Sequence, residues 1–221
     1  MRLHDVMSSL VATQVDWQGL LYEPGFKRIE SEIIWENYDP QLQIDVETSE
    51  DLRRLRENGQ YSFLFQDGSI IQIYYRYRPS GMELEHARLA FYRASPSIDA
   101  GADDVDEEEL EITPLGEDEE EERVEWLRIE YAPNDAQSLA HAECHLHIGG
   151  LTDVRIGVSG VPTPRQFVEF IIHHFYPHDY EDRRLGEDDH LTPPDIMSRV
   201  NDSCFPDVTP PHPVLHFVVP R

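Results

Sequence analysis

The hydrophobic residues of the chain repeat with two periods, and the period changes near residue 59. In the N-terminal part apolar residues recur every three or four positions, which predicts a helix over residues 3–17. A second, short helix is predicted near residues 49–58, where Thr48 or Ser49 would cap its start and Gly59 would end it. The first helix takes its apolar stripe from Leu3, Val6, Met7, Leu10, Val11 and Val15.

From residue 61 onward apolar and polar residues tend to alternate, which is typical of strands. Residues 61–65 and 69–78 flank an Asp67-Gly68 turn and therefore predict a hairpin. Because consecutive strands joined by tight turns pair with each other, the pattern predicts an antiparallel, meandering sheet of about five to six strands. The other strand-like segments are residues 82–93, 124–131, 142–149 and 153–158.

The clearest helix signal lies near the C-terminal end of this region. Thr163, Pro164 and Gln166 form a capping box with proline at the first helical position. The apolar stripe that follows is broad, and Pro177 is expected to end the helix. We expect this stripe to pack against the inner face of the sheet. The fold class is therefore α+β, a meandering sheet packed against a C-terminal helix, with N-terminal helices and an irregular tail.

Acidic residues are concentrated in one segment. Residues 99–122 contain 14 Asp and Glu and no basic residue. The segment has few large apolar side chains to offset the entropy cost of ordering, which predicts a mobile loop. Residues 179–221 are rich in acidic residues and proline and are predicted to be an irregular tail. We therefore expect a single α+β domain over residues 1–178, interrupted by the acidic loop 99–122 and followed by that tail.

The overall charge indicates the solvent in which the chain folds. Against 44 Asp and Glu there are 18 Lys and Arg, of which only Lys27 is a lysine, and the formal net charge is −26. Such a charge is tolerated where concentrated salt screens it, so we expect a halophilic, haloarchaeal protein. The chain lacks a run of ~20 apolar residues and a signal-peptide core, which predicts a cytoplasmic protein without a membrane partner.

Several enzyme classes lack their characteristic motifs in this chain. It contains no glycine-rich phosphate loop, nucleophile elbow, Cys-x-x-Cys pair or His-Glu-x-x-His helix. Its two cysteines, Cys144 and Cys204, are far apart and are expected to be free thiols. Cys144 is expected to be a small core residue rather than a nucleophile.

One group of residues has the composition of a reactive site. His145 and His147 are two residues apart on a predicted strand and therefore share a face, with His141 just before them. Arg128 and Glu130 share a face of the preceding strand in the same way, and hairpin pairing would bring the four together. Histidines as base and acid, with an arginine that stabilises the phosphorane charge, suit cleavage of a phosphodiester.

Two other interpretations of the histidines are open. A His-x-His pair on a half-buried strand is more often a packing feature than a site. The pair His145 and His147 could instead hold a divalent metal, since neutral imidazole is a common ligand. Along the chain, however, no carboxylate or cysteine lies at ligand spacing beside the pair, so acid–base chemistry is favoured over metal binding. No other cofactor is expected.

Several blocks of the sequence resemble an uncharacterised prokaryotic family, a domain of unknown function. They are the segments DGSIIQIYYRY, LEHARLAFYRASP, LRIEYAPN, HAECHLHIGG, DVRI and TPRQFVEFIIHHFYP, which span about residues 55–178. The resemblance implies a fold but no activity. The family pattern corresponds here to Arg128, His141, His145, His147, Gly149 and Arg155. Glu130 stands where the pattern has Asp, which keeps the charge on a longer side chain.

The arrangement of these blocks is also similar, more distantly, to TumE-type toxins of toxin–antitoxin modules. Two functions follow as expectations. The first is a toxin- or defence-associated phosphodiesterase or ribonuclease-like enzyme that works through Arg128, Glu130, His141, His145 and His147, with RNA or a cognate antitoxin or defence protein as partner. The second is a non-enzymatic binding or adaptor module in which the histidines are structural. The low number of basic residues argues against the first, although concentrated salt screens phosphate attraction for every protein.

Overall fold

A computed structural model of the chain describes residues 1–22, 24–40, 46–94, 124–135, 143–149 and 155–186. The predicted acidic loop 99–122, His141 and residues 187–221 of the predicted tail lie outside the described residues.

Four α-helices and nine strands are formed by the described residues. The helices are α1 (Leu3–Asp16), α2 (Ser49–Glu57), α3 (Pro164–Phe175) and α4 (Pro177–Gly186). The strands are β1 (Leu21–Tyr22), β2 (Phe26–Ile29), β3 (Glu32–Trp35), β4 (Phe63–Phe65), β5 (Ile70–Tyr77), β6 (Leu84–Arg93), β7 (Glu125–Tyr131), β8 (Cys144–Ile148) and β9 (Ile156–Gly157).

All strands belong to one antiparallel sheet with the order β1-β4-β5-β6-β7-β8-β9. From β4 to β9 each strand pairs with the next one along the chain, so the predicted meander is confirmed. β3 pairs with β5 near Tyr75, beyond the end of β4, and β2 pairs with β3. The strands β1 to β3 were not predicted, and they raise the number of strands above the expected five to six.

Capping explains where two of the predicted helices begin. The Thr48 hydroxyl accepts a hydrogen bond from the Asp51 backbone N–H, and the Thr163 hydroxyl accepts one from the N–H of Gln166. In both helices the third residue accepts a hydrogen bond from the backbone N–H of the cap in return. The capping box predicted at Thr163 is therefore confirmed, and Thr48 rather than Ser49 caps α2.

The main core lies between one face of the sheet and the helices α1 and α3. Helix α3 packs on this face of the sheet, as expected. The Tyr75 hydroxyl donates to the Pro162 backbone oxygen at 2.6 Å, just before α3 begins. The buried side chains of this core include Ile71, Ile73, Tyr75, Tyr77, Leu89, Phe91, Ile129, Leu146, Phe167, Val168, Ile171 and Ile172.

Helix α1 uses a narrower stripe than predicted. Its residues Val11 and Val15 are exposed, whereas Thr13 is buried and its hydroxyl donates to the Ser9 carbonyl at 2.7 Å. The buried residues Leu3, Val6, Leu10 and Thr13 follow one another at spacings of three or four and form one stripe of the helix. Val11 and Val15 lie beside this stripe, on the part of the helix surface that faces the solvent. Local spacing gave the correct element, but not the width of its buried face.

The opposite face of the sheet is only partly covered by α2. Leu52 and Leu55 of this helix pack with Ile70, Ala90 and Tyr92 in a second, smaller core. Farther along the same face, β6, β7 and β8 carry charged and imidazole side chains instead of aliphatic ones. This polar part of the face contains the candidate site.

The beginning of the predicted tail is helical. Pro177 does not lead into irregular chain, because it is the first residue of α4. Tyr180 of α4 stacks on Trp17, the residue that follows α1, with 6.0 Å between the ring centroids. Because Trp17 belongs to the main core, this contact packs α4 against the core. Among the described residues, no helix is long and apolar enough to cross a membrane.

Candidate functional site

Strand pairing brings the four predicted side chains together. In the β7–β8 pair, Arg128 lies opposite His147 and Glu130 lies opposite His145. The alternating residues Ile129 and Leu146 belong to the main core, so the four polar side chains share the other face. Their predicted convergence on one face is therefore confirmed.

Glu130 is at the centre of the cluster. Its Oε1 is 2.9 Å from Nε of Arg128. Its Oε2 faces both imidazoles, 3.4 Å from Nε2 of His147 and 3.7 Å from Nε2 of His145. The two rings are 4.6 Å apart between centroids and inclined by 66°. One carboxylate thus contacts the arginine with one oxygen and the histidines with the other.

The imidazoles lie deeper than the ion pair. His145 is 1% exposed and His147 is 7% exposed, whereas the Arg128 and Glu130 side chains are 17% and 25% exposed. His147 is therefore a buried side chain and not an exposed one. Replacing His147 by alanine is therefore expected to cost stability as well as chemistry.

The environment of Glu130 favours its charged form. Burial alone would raise the pKa of this carboxyl. The interactions with His145 and His147 and the positive charge of Arg128 outweigh burial, so the pKa of Glu130 is held well below its usual range. The charged carboxylate is therefore the favoured form of Glu130.

Trp126 and Gly149 support Arg128 from the side. The Arg128 guanidinium lies over the Trp126 ring, 5.3 Å from its centroid. The Gly149 N–H donates to the Trp126 carbonyl at 2.7 Å. A Cβ on Gly149 would come within 2.8 Å of the indole, so a glycine is needed here for close approach. The glycine of the HAECHLHIGG block thus helps to fix the arginine.

The sequence interpretation missed Arg88. Arg88 lies opposite Glu130 on β6, and the Arg88 Nη2 donates to the Tyr92 hydroxyl at 3.4 Å. Among the described residues no carboxylate lies within 4.0 Å of its guanidinium. The signal was present in the sequence, since His86 and Arg88 alternate with buried alanine and leucine residues along β6.

Two further residues of the family pattern have different outcomes. His141 lies outside the described residues, so its predicted role stays a prediction. Arg155 is exposed and lies two residues before Gly157, which pairs with His145. Cys144 is buried on the opposite face from the histidines, as predicted, and burial raises the pKa of its thiol to about 12.

A comparison with protein families agrees with the blocks of sequence described above. Residues 22–207 match the family described as "Uncharacterized conserved protein (DUF2290)". The chain belongs to this family. Comparison with curated proteins gave no match, and comparison with solved structures gave none either. Membership in DUF2290 thus accounts for the resemblance but adds no activity, and the chemistry has to be argued from the cluster itself.

The cluster offers two kinds of chemistry. Arg128 and Arg88 supply fixed positive charge for an anionic group such as a phosphate. Glu130, His145 and His147 supply a carboxylate oxygen and imidazole nitrogens that all lie within 4.8 Å of one another. Such a centre can accept a proton or hold a metal ion.

Proposed function

We propose that the protein is a phosphodiester-cleaving enzyme of the ribonuclease type that acts at the Arg128–Glu130–His145–His147 cluster. The observation that supports this most strongly is the pairing of β7 with β8, which sets a cation, a carboxylate and two imidazoles side by side on rigid strands. These three kinds of group can supply the proton transfer and the charge stabilisation of phosphodiester cleavage.

The roles follow from charge and position. The guanidiniums of Arg128 and Arg88 would bind the non-bridging phosphate oxygens and stabilise the charge that develops as a nucleophile attacks phosphorus. In RNA the attacking atom is the ribose 2′-oxygen, and the bond from phosphorus to the 5′-oxygen breaks. One of the two imidazoles, His145 or His147, would take up the proton of the attacking 2′-hydroxyl, and the other would donate a proton to the departing 5′-oxygen, which leaves a 2′,3′-cyclic phosphate.

Replacement of Arg128 tests this proposal. We expect Arg128→Ala to reduce cleavage of single-stranded RNA by about 10²-fold or more, since one preformed contact to the transition state is lost. Arg128→Lys should restore only part of the activity, because lysine keeps the charge but not the planar fork. The measurement is the cleavage rate of a labelled RNA in concentrated KCl, with far-UV circular dichroism to verify folding.

Arg76→Ala is the matched control. Arg76 lies on the same face of the sheet in β5, is half exposed, and pairs at 3.8 Å with Glu85. Its loss should change the rate less than twofold or so, within the ordinary effect of a surface substitution. If the wild-type chain leaves RNA and model phosphodiesters intact under all conditions, the proposed function is wrong.

The setting of this activity is a further part of the proposal. We propose a toxin or defence component of a halophilic, cytoplasmic system, with RNA as target and an antitoxin as partner, on the arrangement of the sequence blocks alone, because no curated protein matches the chain. Induced expression should then arrest growth of the host, and Arg128→Ala should relieve the arrest. If cells that express the wild type and cells that express Arg128→Ala grow equally well, the toxin interpretation is wrong. The enzymatic activity would still be decided by the RNA cleavage assay.

One observation favours a second function, a binding or adaptor module. His145 and His147 are almost fully buried, which is usual for structural side chains. In such a module the cluster would stabilise the sheet, and Arg128→Ala would lower the melting temperature while no RNA cleavage would be found in either form.

A further inference from the structure

We infer that Glu130, His145 and His147 form a binding site for one divalent transition-metal ion, with Zn²⁺ as the ion that best fits the donor set. Among the described residues, these three form a group whose donor atoms all lie within 4.8 Å of one another. The site would serve the proposed cleavage of phosphodiesters, but its existence does not depend on that function.

The separations of the donor atoms suit a bound ion. Around a tetrahedral ion with bonds of ~2.0–2.1 Å, neighbouring ligand atoms lie roughly 3.3 Å apart. Oε2 of Glu130 is 3.4 Å from Nε2 of His147 and 3.7 Å from Nε2 of His145. A direct charge-assisted hydrogen bond would be shorter, at about 2.7–2.9 Å. Small side-chain movements therefore suffice to place all three atoms around one ion.

The donor types select the class of metal. Two imidazoles and one carboxylate form a set that zinc uses in catalytic sites, where three protein ligands leave one position open for water or substrate. Magnesium and calcium prefer oxygen ligands, so they are poor occupants of a site with two nitrogens. The expected ion is therefore Zn²⁺ or a neighbouring first-row ion, and not Mg²⁺ or Ca²⁺.

Arg128 positions the carboxylate for this purpose. Its Nε holds Oε1 of Glu130 at 2.9 Å, and this contact directs Oε2 toward the two histidines. Contacts of this kind behind a ligand fix its orientation and typically change metal affinity by about 10–100-fold.

The strands make the site rigid before any ion arrives. His145 and His147 lie on β8, which pairs with β7 on one side and with β9 on the other. Both imidazoles are buried, so little entropy remains to be lost on binding. A Zn²⁺ ion here would give the proposed enzyme a bound water of lowered pKa as its proton acceptor at neutral pH.

The test uses the full chain without a histidine tag. Protein purified in concentrated KCl is analysed for metal by mass spectrometry, then stripped by dialysis against a chelator and titrated with Co²⁺ and Zn²⁺. We expect about one tightly bound Zn²⁺ per chain, and for Co²⁺ the strong visible absorption of a four-coordinate nitrogen–oxygen site. Zn²⁺ should also raise the melting temperature of the stripped protein.

Variants locate the ion. Glu130→Gln and His147→Ala should each lose the tightly bound metal and the thermal shift with Zn²⁺. The Arg128→Ala variant should still bind the ion, but about 10–100-fold more weakly, because Arg128 orients the ligand Glu130 and does not itself contact the ion. The control is His178→Ala, which removes an exposed imidazole at the start of α4 and should bind metal as the wild type does.

The inference is overturned if the stripped wild type shows only the weak Co²⁺ spectrum of the hydrated ion, or if Glu130→Gln and His147→Ala retain the metal content of the wild type. The wild-type spectrum decides even if a variant fails to fold. Absence of metal binding in a wild-type protein that cleaves RNA would overturn the metal site and leave the proposed function intact. Tight, site-specific binding without any cleavage would support the site and reject the function.

Discussion

Two buried glutamates show how neighbouring charge decides a pKa. Glu130 contacts Arg128 and two imidazoles, and its pKa is held below the usual range in spite of burial. Glu169 of α3 is also buried, and burial raises its pKa. Its partner Arg165, at 2.7 Å, lowers the pKa but does not outweigh burial, and the negative charge of Asp16, which contacts the same guanidinium at 3.0 Å, raises the pKa further. The charge of Glu169 is therefore a cost to the folded state.

Glu169→Gln is expected to stabilise the protein at neutral pH. Because the folded-state pKa of Glu169 is raised above its ordinary value of 4.5, the wild type loses stability as the pH rises from that value through the raised one. The glutamine variant lacks this loss, so its advantage should be largest above the raised pKa and should vanish in acid. Thermal unfolding between about pH 5 and pH 8 at constant KCl measures the difference.

Glu125→Gln is the matched control, since Glu125 is exposed and pairs with Arg93 at the surface. It should change the melting temperature little, and equally at each pH. A Glu169→Gln variant that melts below the wild type at neutral pH would contradict the argument and would mean that the ion pair with Arg165 outweighs the cost of burial.

Helix α3 depends on its first residues. The hydroxyl of Thr163 caps the helix, and the Gln166 side chain accepts a hydrogen bond from the backbone of Thr163 at 2.8 Å. We expect Thr163→Ala to lower the free energy of unfolding by about 1 kcal/mol, and Thr163→Ser to restore most of it. Chemical denaturation measures both, with Ser8→Ala on the exposed side of α1 as the control. Equal stability of wild type and Thr163→Ala would show that packing alone holds the helix start.

Elements with a strong local signal could be predicted from the sequence, and the others could not. Caps and a clear period identified α1, α2, α3 and the strands from β4 to β9. The run Glu32–Trp35 of β3 is apolar over three consecutive buried residues, so it carries no alternation to find. Helix α4 has a polar sequence and is held by contacts such as the stacking of Tyr180 on Trp17, which a local pattern does not contain.

The sequence predicted which four described side chains form the candidate site, but it did not predict that Glu130 lies between the others. Alternation along β7 and β8 placed four side chains on one face. It gave neither the depth of His147 nor the contact of Glu130 with both imidazoles, because these depend on the register between strands. A carboxylate that is distant along the chain became a neighbour of the histidines through pairing, so the spacing along the sequence did not reveal that a carboxylate lies beside the pair.

At the scale of the whole molecule, the net charge of −26 predicts a requirement for salt. We expect the protein to be folded in several molar KCl and to lose structure below about 0.5 M, where the charges repel one another with less screening. Circular dichroism and thermal melting over a KCl series measure this. An uncharged osmolyte such as sorbitol is the control for general exclusion effects. Cooperative unfolding with an unchanged melting temperature in dilute buffer would contradict the halophilic interpretation.

The register between β7 and β8 has a consequence for how the sequence can change over time. A slip of one residue would turn His145 and His147 into the hydrocarbon core and bring Cys144 and Leu146 out of it. The misaligned sheet would thus lose both its site and part of its core. Selection on the candidate site and selection for correct folding would therefore act on the same few positions of β8. A substitution there that disturbs the pairing of the strands would be selected against on both grounds.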